Sequence, residues 1–327
     1  EDYYQEGLRR DSSDTRCNNA MGLWYMRRAQ PEKAEPYLKA ALHTQTLRNP
    51  NPSDGEVCYN LGVCLQMLGL PDKAYDSFYK STWNDAWQHS GFFQLARIAC
   101  LRHDMTKALY LIDKSLLRNY NSHSARHLKV AVLRHLERPA EAEEWIKLSL
   151  LIDPLNFGCL FEAHLLALKR NRSEESAQSL QQLNSLIRNA FNNYAEYALD
   201  YAHAGLYQEA ITLLLLYKEN NRNTRIHPMC YYYLGWLHIK INQEAADYFN
   251  LGANAVPDYC FPSKTEEVII LQTAIQYNKS DSKAYYYLGN YWYANAAFEE
   301  AIRCWEQSVL LNESFPTAYR NLSLAYY

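Results

Sequence analysis

The sequence predicts an all-α fold, a solenoid built from antiparallel helix pairs. Apolar and small residues recur at helical spacing, as in Tyr285, Leu288, Gly289 and Trp292, which lie at i, i+3, i+4 and i+7. A small residue in the second helix of each pair then recurs every 34 residues. This series consists of Ala74, Ala108, Ala142, Ser176 and Ala210. A fixed period of helix pairs is typical of a repeat solenoid.

This register predicts about eight helix-pair repeats, with an incomplete half-repeat at each end. The repeats lie near 16–45, 56–89, 90–123, 124–157, 158–191, 192–221, 229–257 and 283–315. A solenoid grows by adding repeats rather than by dividing, so we expect residues 1–327 to form a single domain. The half-repeats favour the interpretation that the chain is a fragment of a longer protein.

An irregular helical insertion at 258–278 interrupts the register. Ser263 is positioned to cap a helix whose first turn carries Glu266 and Glu267, and the apolar residues that follow resemble a second helix without its partner. Long insertions in repeat arrays often carry function, and a structural splice is an equal alternative here.

The Leu-Gly pair of the first helix and the Ala of the second, at a period of 34 residues, resemble the tetratricopeptide repeat across residues 16–327. Val130 and His164 depart from the pattern, because the family places a small residue at these positions. The resemblance implies a right-handed superhelix whose first helices line a concave groove that usually binds a peptide or a partner protein. More narrowly, the stretches "RNPNPSDGEVCYNLG" and "STWNDAWQHSGFFQLA" are similar to the repeat region of bacterial multidomain proteins in which an uncharacterised β-rich domain precedes the repeats.

Composition excludes several classes of protein. Hydrophobic residues make up 48% of the chain and charged residues 21%, which is typical of a folded globular protein. The formal net charge of −3 argues against nucleic acid and against an anionic membrane surface as the ligand. The longest apolar run, 210–217, is too short to span a bilayer. The eight cysteines show no CxxC spacing, and Cys58, Cys64, Cys159 and Cys304 lie within helical patterns and are predicted to be small buried residues. Such unpaired thiols favour a reducing compartment such as the cytoplasm.

The family geometry also predicts a partner-binding surface on the first helices. In the repeat of residues 283–315, Tyr286, Asn290 and Tyr293 lie about a third of a turn from the packing face. The same offset along the chain selects Tyr59, Asn60, Phe93, Arg97, His127, Arg134, Phe161, Tyr232, Trp236, Tyr286, Asn290 and Tyr293. Aromatic side chains with Arg and Asn are typical of recognition surfaces, although packing between repeats is the alternative for each residue taken singly.

We find no motif that predicts catalysis, a cofactor or a metal site. His123 and His127 have a spacing that chelates metals on a helix, but a third ligand is not evident. Asn290 and Asn321 match two positions of the carboxylate clamp found in some tetratricopeptide domains, but Tyr286 stands where a Lys is needed, so no clamp is predicted.

The sequence therefore predicts a non-catalytic scaffold that binds a protein, a peptide or an adjoining domain of its own chain in an aromatic-rich groove. The alternative is an accessory repeat domain of a larger, carbohydrate-related enzyme whose catalytic domain lies outside this segment.

Overall fold

The structure, a computed structural model, describes residues 1–52 and 54–327, and all regular secondary structure within them is helical. The all-α fold of helix pairs that the sequence predicts is confirmed. The chain forms two compact units. Unit 1 contains Glu1–Leu23 and Pro31–Leu213, and unit 2 contains Trp24–Gln30 and Leu214–Tyr327. Whether the repeats form one domain stays a prediction.

The first thirteen helices begin in unit 1, although the end of α2 and half of α13 belong to unit 2. They are α1 (Asp2–Arg10), α2 (Thr15–Arg27), α3 (Pro31–Thr46), α4 (Glu56–Met67), α5 (Pro71–Ser81), α6 (Asp85–Leu101), α7 (Met105–Arg118), α8 (His123–His135), α9 (Pro139–Ile152), α10 (Phe157–Lys169), α11 (Ser173–Ile187), α12 (Phe191–His203) and α13 (Tyr207–Asn220). The remaining helices lie in unit 2. They are α14 (Pro228–Lys240), α15 (Ala246–Asn254), α16 (Thr265–Tyr277), α17 (Ser282–Ala294), α18 (Phe298–Leu311) and α19 (Pro316–Tyr326).

Small residues let the two helices of each pair approach closely. Every member of the 34-residue series is buried, and Ala74, Ala108, Ala142 and Ala210 have no exposed surface at all. On the first helix, a Cβ added to Gly289 would lie 2.3 Å from Nε1 of Trp305. The first helix thus offers bare backbone to a large side chain of the second, which explains the Leu-Gly signature.

In the five helix pairs between α4 and α13, the turn contains one residue in the left-handed region that also follows the 34-residue register. Its members are Gly69, His103, Glu137, Asn171 and Gly205, with φ between 56° and 73°. Only two of the five are glycines, so the turn conformation is set by the packing of the helices as well as by local preference.

The insertion forms a helix that packs against its neighbours in unit 2. Helix α16 contacts α14, α15 and α17. The prediction that Ser263 caps this helix is wrong, because the capping position falls at Lys264. Instead, the buried Glu267 carboxylate accepts the backbone N–H groups of Ser263 (2.7 Å) and Lys264 (2.9 Å) and so satisfies donors at the helix start.

The cysteines are all free thiols. Cys58, Cys64 and Cys159 are buried as predicted, whereas Cys304 is partly exposed. Burial raises the pKa of the Cys64 and Cys159 thiols to about 12, which makes them poor nucleophiles. Within the described part of the chain, no helix has the length and apolar character that crossing a membrane requires.

Candidate interaction site

The structure places the twelve predicted residues on the first helices of six repeats, four in unit 1 and two in unit 2. Helices α4, α6, α8 and α10 carry Tyr59, Asn60, Phe93, Arg97, His127, Arg134 and Phe161. Helices α14 and α17 carry Tyr232, Trp236, Tyr286, Asn290 and Tyr293. Five of them, Asn60, His127, Phe161, Tyr232 and Tyr286, are buried. Their part in partner binding stays a prediction, and in this structure their contacts are with the chain itself.

In unit 1, helix α12 approaches α6 and closes over the predicted residues. The Arg97 guanidinium forms an ion pair with Asp200 of α12 and lies 4.4 Å from the centre of the Phe93 ring. Ser124 Oγ lies 3.4 Å from the second oxygen of the same carboxylate. The nearly buried ion pair therefore joins first helices that are three repeats apart.

His127 and Phe161 pack against the same helix, α12. The His127 ring meets Tyr201 edge-on with a centroid distance of 4.6 Å, and Phe161 lies 6.1 Å from Tyr201. Burial lowers the pKa of the His127 imidazole, and the nearby Glu162 and Asp200 carboxylates oppose this shift only in part. A neutral, enclosed His127 is therefore a packing residue in this conformation.

The cluster encloses a cavity of about 10 Å³ between α6, α8 and α12. A cavity of this size holds roughly one water molecule. A peptide cannot enter between these helices unless they move apart.

Arg134 belongs to a second polar cluster that is also closed to solvent. Its guanidinium donates two hydrogen bonds to Glu162 (2.7 and 3.1 Å) and one to Glu209 (2.9 Å). His135 Nε2 lies 2.7 Å from Glu209, and the Tyr201 hydroxyl donates to Glu162 at 2.6 Å. The Glu162 side chain has no exposed surface, and that of Arg134 is only 11% exposed. The geometry favours a structural role for Arg134.

Charge governs the protonation of this cluster. Burial alone would raise the pKa of the Glu209 carboxyl, but the hydrogen bond from His135 and the charge of Arg134 outweigh it and hold the pKa at about 2. Glu209 is therefore ionised at neutral pH and offers no proton to a substrate.

In unit 2 the buried tyrosines bind carboxylates of the chain. The Tyr232 hydroxyl donates to Asp281 at 2.9 Å, and Tyr233 donates to Glu267 at 3.1 Å. Asp281 also caps α17 by accepting the N–H groups of Lys283 and Ala284. Tyr232 is thus an internal anchor for the start of α17.

Tyr286 and Asn290 of α17 hold neighbouring helices in place. The Tyr286 ring lies 4.7 Å from Phe315, between α18 and α19. Asn290 Oδ1 accepts hydrogen bonds from Trp305 (3.2 Å) and Asn321 (3.1 Å). Both residues therefore link repeats.

Trp236 and Tyr293 remain accessible. The Tyr293 side chain is 41% exposed and meets Phe298, itself 52% exposed, at a centroid distance of 5.1 Å. Trp236 is partly exposed, and Lys240 Nζ lies 5.4 Å from its ring. Of the predicted residues in unit 2, these two present most ring surface to solvent.

Sequence reasoning missed the residues that close unit 1, Asp200, Tyr201 and Glu209. No motif marks them, because their partners are far away in the sequence. Glu209 lies 75 residues from Arg134, and Asp200 lies 103 residues from Arg97. Only the stacking of several repeats brings these residues together.

Several known proteins are similar to this chain, although no family model matches its sequence. A bovine protein, BBSome complex member BBS4, is 23% identical over 273 residues, which are 83% of this chain and 49% of that protein. The chain thus spans about half the length of this curated relative.

Solved structures of repeat proteins are also similar. A tetratricopeptide repeat protein from Parabacteroides merdae superposes with a TM-score of 0.50 at 16% identity, covering 80% of this chain and 98% of that one. Yeast Tom70 superposes with a TM-score of 0.44 at 16% identity, covering 90% of this chain and 59% of that one. The first of these likenesses shows that the chain has the tetratricopeptide-repeat solenoid fold.

Proposed function

We propose that this chain is a non-catalytic scaffold that binds a protein or peptide partner through Trp236 and Tyr293 in unit 2. The observation that carries the proposal is their exposure. Tyr293 is 41% exposed and Trp236 partly so, whereas Tyr232 and Tyr286 of the same predicted set are buried. Large, rigid rings on a folded surface bury much area at little cost in entropy, as at the centres of interfaces.

The surroundings of the two rings suit an apolar partner side chain with polar groups beside it. Tyr293 and Phe298 form one exposed aromatic patch. Lys240, beside Trp236, can meet an acidic group of the partner. A wider form of the same proposal includes the other predicted residues in partner binding. It requires the closed cluster of unit 1 to open.

The charged and phenolic groups of the predicted surface that are buried bind other residues of the chain, which favours a structural role for them. The buried acids and bases of the predicted surface are held in hydrogen-bonded pairs, as in Arg134 with Glu162 and Tyr232 with Asp281. The cavity beside His127 has room for about one water molecule. A substrate would not reach these groups.

The name of the bovine relative, a member of a BBSome complex, supports a role in a larger assembly. We infer that this chain also works as one part of a complex of several proteins. The likeness covers about half of that relative, so it supports assembly in general rather than a particular partner.

Site-specific crosslinking tests the proposal. A photo-reactive phenylalanine analogue is placed at position 236 or 293, with the equally aromatic and 59% exposed position of Tyr110 on α7 as the matched control. We expect crosslinks to a shared protein partner at 236 and 293 but not at 110. Crosslinks at none of the three positions, or at 110 alone, would show that the surface is not the docking site.

Alanine substitution provides the second arm. Trp236→Ala and Tyr293→Ala should weaken capture of the crosslinked partner at least tenfold and leave the circular dichroism spectrum unchanged. Trp292→Ala should unfold or destabilise the protein, because Trp292 is buried. If the first two variants destabilise the protein as much as the third, the rings are packing residues.

A further inference from the structure

A second cavity lies in unit 1, away from the surface proposed above. It is bounded by α9, α10 and α11, and its volume is about 200 Å³. Its apolar lining includes Ile146, Leu166 and Ala167, all of which are buried or nearly so. The cavity is large enough to hold one large apolar side chain and opens to solvent.

Small side chains at two register positions leave the space for this cavity. By the 34-residue register, Ser179 on α11 stands where α7 has Leu111, α9 has Trp145 and α13 has Leu213, whereas α5 also has a serine, Ser77. Leu111 and Leu213 are both buried. Ser179 therefore removes the side chain that would close one wall.

Ala163 removes the second side chain. It stands on α10 at the register position of Leu61 on α4 and Leu95 on α6, which are both buried. Like Ser179, Ala163 lines the cavity. Loss of packing atoms at two facing positions costs stability unless another group fills the space.

Two cations, Lys147 and Arg172, and two acids, Glu143 and Glu175, line the rim of the cavity. The Glu143 carboxylate already accepts hydrogen bonds from both Arg170 (2.5 Å) and Arg172 (3.0 Å), and Arg172 also pairs with Glu175 (3.2 Å). Lys147 is exposed on the same rim, and it forms no ion pair with any residue that the structure describes. Arg172 is paired with both acids, so Lys147 is the lining cation left for a ligand, which favours a carboxylate next to the ligand's apolar group.

We propose that this cavity binds a peptide segment of a partner protein in which a Leu- or Phe-sized side chain is flanked by an acidic residue. The apolar side chain occupies the space left by Ser179 and Ala163, and the acidic residue pairs with Lys147. The site is formed largely by second helices and is independent of the proposed surface at Trp236 and Tyr293.

Selection from a random peptide phage library on the full chain tests this site. We expect the enriched peptides to share a large aliphatic or aromatic residue next to Asp or Glu. One enriched peptide is then synthesised with a fluorescent label, and its binding is measured by fluorescence polarisation.

Two variants test the cavity itself. Ser179→Leu restores the residue type found at positions 111 and 213, so it should raise the melting temperature and weaken peptide binding at least tenfold. Lys147→Glu changes only the exposed rim and should weaken binding at least fivefold without a change in melting temperature. It keeps the test valid even if Ser179→Leu disturbs folding.

Several results would overturn the proposal. Peptides without an acidic residue, peptides whose binding neither variant affects, or no enriched peptide at all would each contradict it. Binding of decanoate in place of peptides, displaced by Ser179→Leu, would instead identify a lipid-like ligand. Trp236→Ala should leave peptide binding unchanged, so failure of this site and failure of the proposed function are distinguishable.

Discussion

The two units satisfy their buried polar groups in different ways. Unit 1 pairs its buried carboxylates with cations, with Arg134 between Glu162 and Glu209 and Arg97 beside Asp200, and Tyr201 adds one phenol hydrogen bond to Glu162. Unit 2 uses neutral phenols, with Tyr232 and Tyr233 donating to carboxyl groups. Both units are built from the same helix-pair repeat. The repeat therefore determines how the backbones pack, but different kinds of side chain can form the polar contacts between first helices. The units should therefore differ in their response to substitution and to pH.

The largest effect is expected for Arg134→Met. The substitution leaves the fully buried Glu162 side chain without a cation, which typically costs about 3–5 kcal/mol of unfolding free energy. Urea denaturation provides the measurement. Arg138→Met is the control, because the ion pair of Arg138 with Glu141 is exposed and should contribute nothing measurable. A loss below about 1 kcal/mol for Arg134→Met would show that the network does not hold unit 1 together.

An intermediate effect is expected for Ala142→Phe. Ala142 has no exposed surface between α9 and its paired helix α8, so the larger side chain should cost about 1–3 kcal/mol through overpacking. Glu141→Phe, at the exposed neighbouring position, should melt close to the parent protein. If both variants melt alike in calorimetry, the small-residue register does not describe this repeat.

A smaller effect is expected for Tyr232→Phe in unit 2. The change removes one hydrogen bond to Asp281 and leaves the packing of the ring intact, so we expect a loss of about 1 kcal/mol. The cost is lower than for Arg134→Met because Asp281 keeps its two backbone donors and can take up a proton. Tyr293→Phe, at an exposed ring, is the control and should not alter the urea midpoint.

The mildest test is a change of pH from 7 to 4.5. The pKa of the His127 imidazole is lowered in the folded state, whereas an unfolded histidine titrates near about 6.5. The stability that neutral His127 contributes is thus present above about pH 6.5 and is lost as the pH falls. Burial raises the pKa of the Asp281 carboxyl, so the cost of its charge declines as the pH falls through that pKa.

Hydrogen exchange followed by mass spectrometry can measure this difference by region. After correction for the intrinsic effect of pH on exchange, α8 and α12 should lose protection at pH 4.5 relative to pH 7. Helix α17 should keep or gain protection, whereas α14 should lose some, because burial lowers the pKa of the His227 imidazole at its start to about 4. His127→Gln should remove the pH dependence of α8, and a loss of protection in α17 equal to that in α8 would contradict the proposed difference.

The sequence predicted the parts of this structure that depend on local spacing. The helix pairs, the buried small residues and the close contact at Gly289 all follow from helical periodicity and the 34-residue register. The prediction for Ser263 failed because a carboxylate further along the helix, Glu267, satisfies the helix start in its place.

The candidate site was less predictable because exposure depends on distant neighbours. The offset that selects Tyr293 also selects Tyr232, and only the fold shows that the Tyr232 ring is buried and that its hydroxyl donates to Asp281. Likewise, the sequence spacing predicts that Arg97 faces the groove, and only the fold shows that Asp200 of α12 forms an ion pair with it. The cavity at Ser179 was readable in part, since its signal is a small residue at a register position that is large in three other repeats but is also a serine at Ser77.

The ion pair between Arg97 and Asp200 also affects how unit 1 folds. Most contacts in a repeat protein join neighbours, so that repeats can form and melt one after another from an end. Residues 97 and 200 are 103 positions apart, and residues 134 and 209 are 75 apart. Neither pair can form until the intervening repeats have stacked, and the loss of one repeat breaks both. The segment from α6 to α13 should therefore behave as one cooperative folding unit, with slower folding than its helix content suggests.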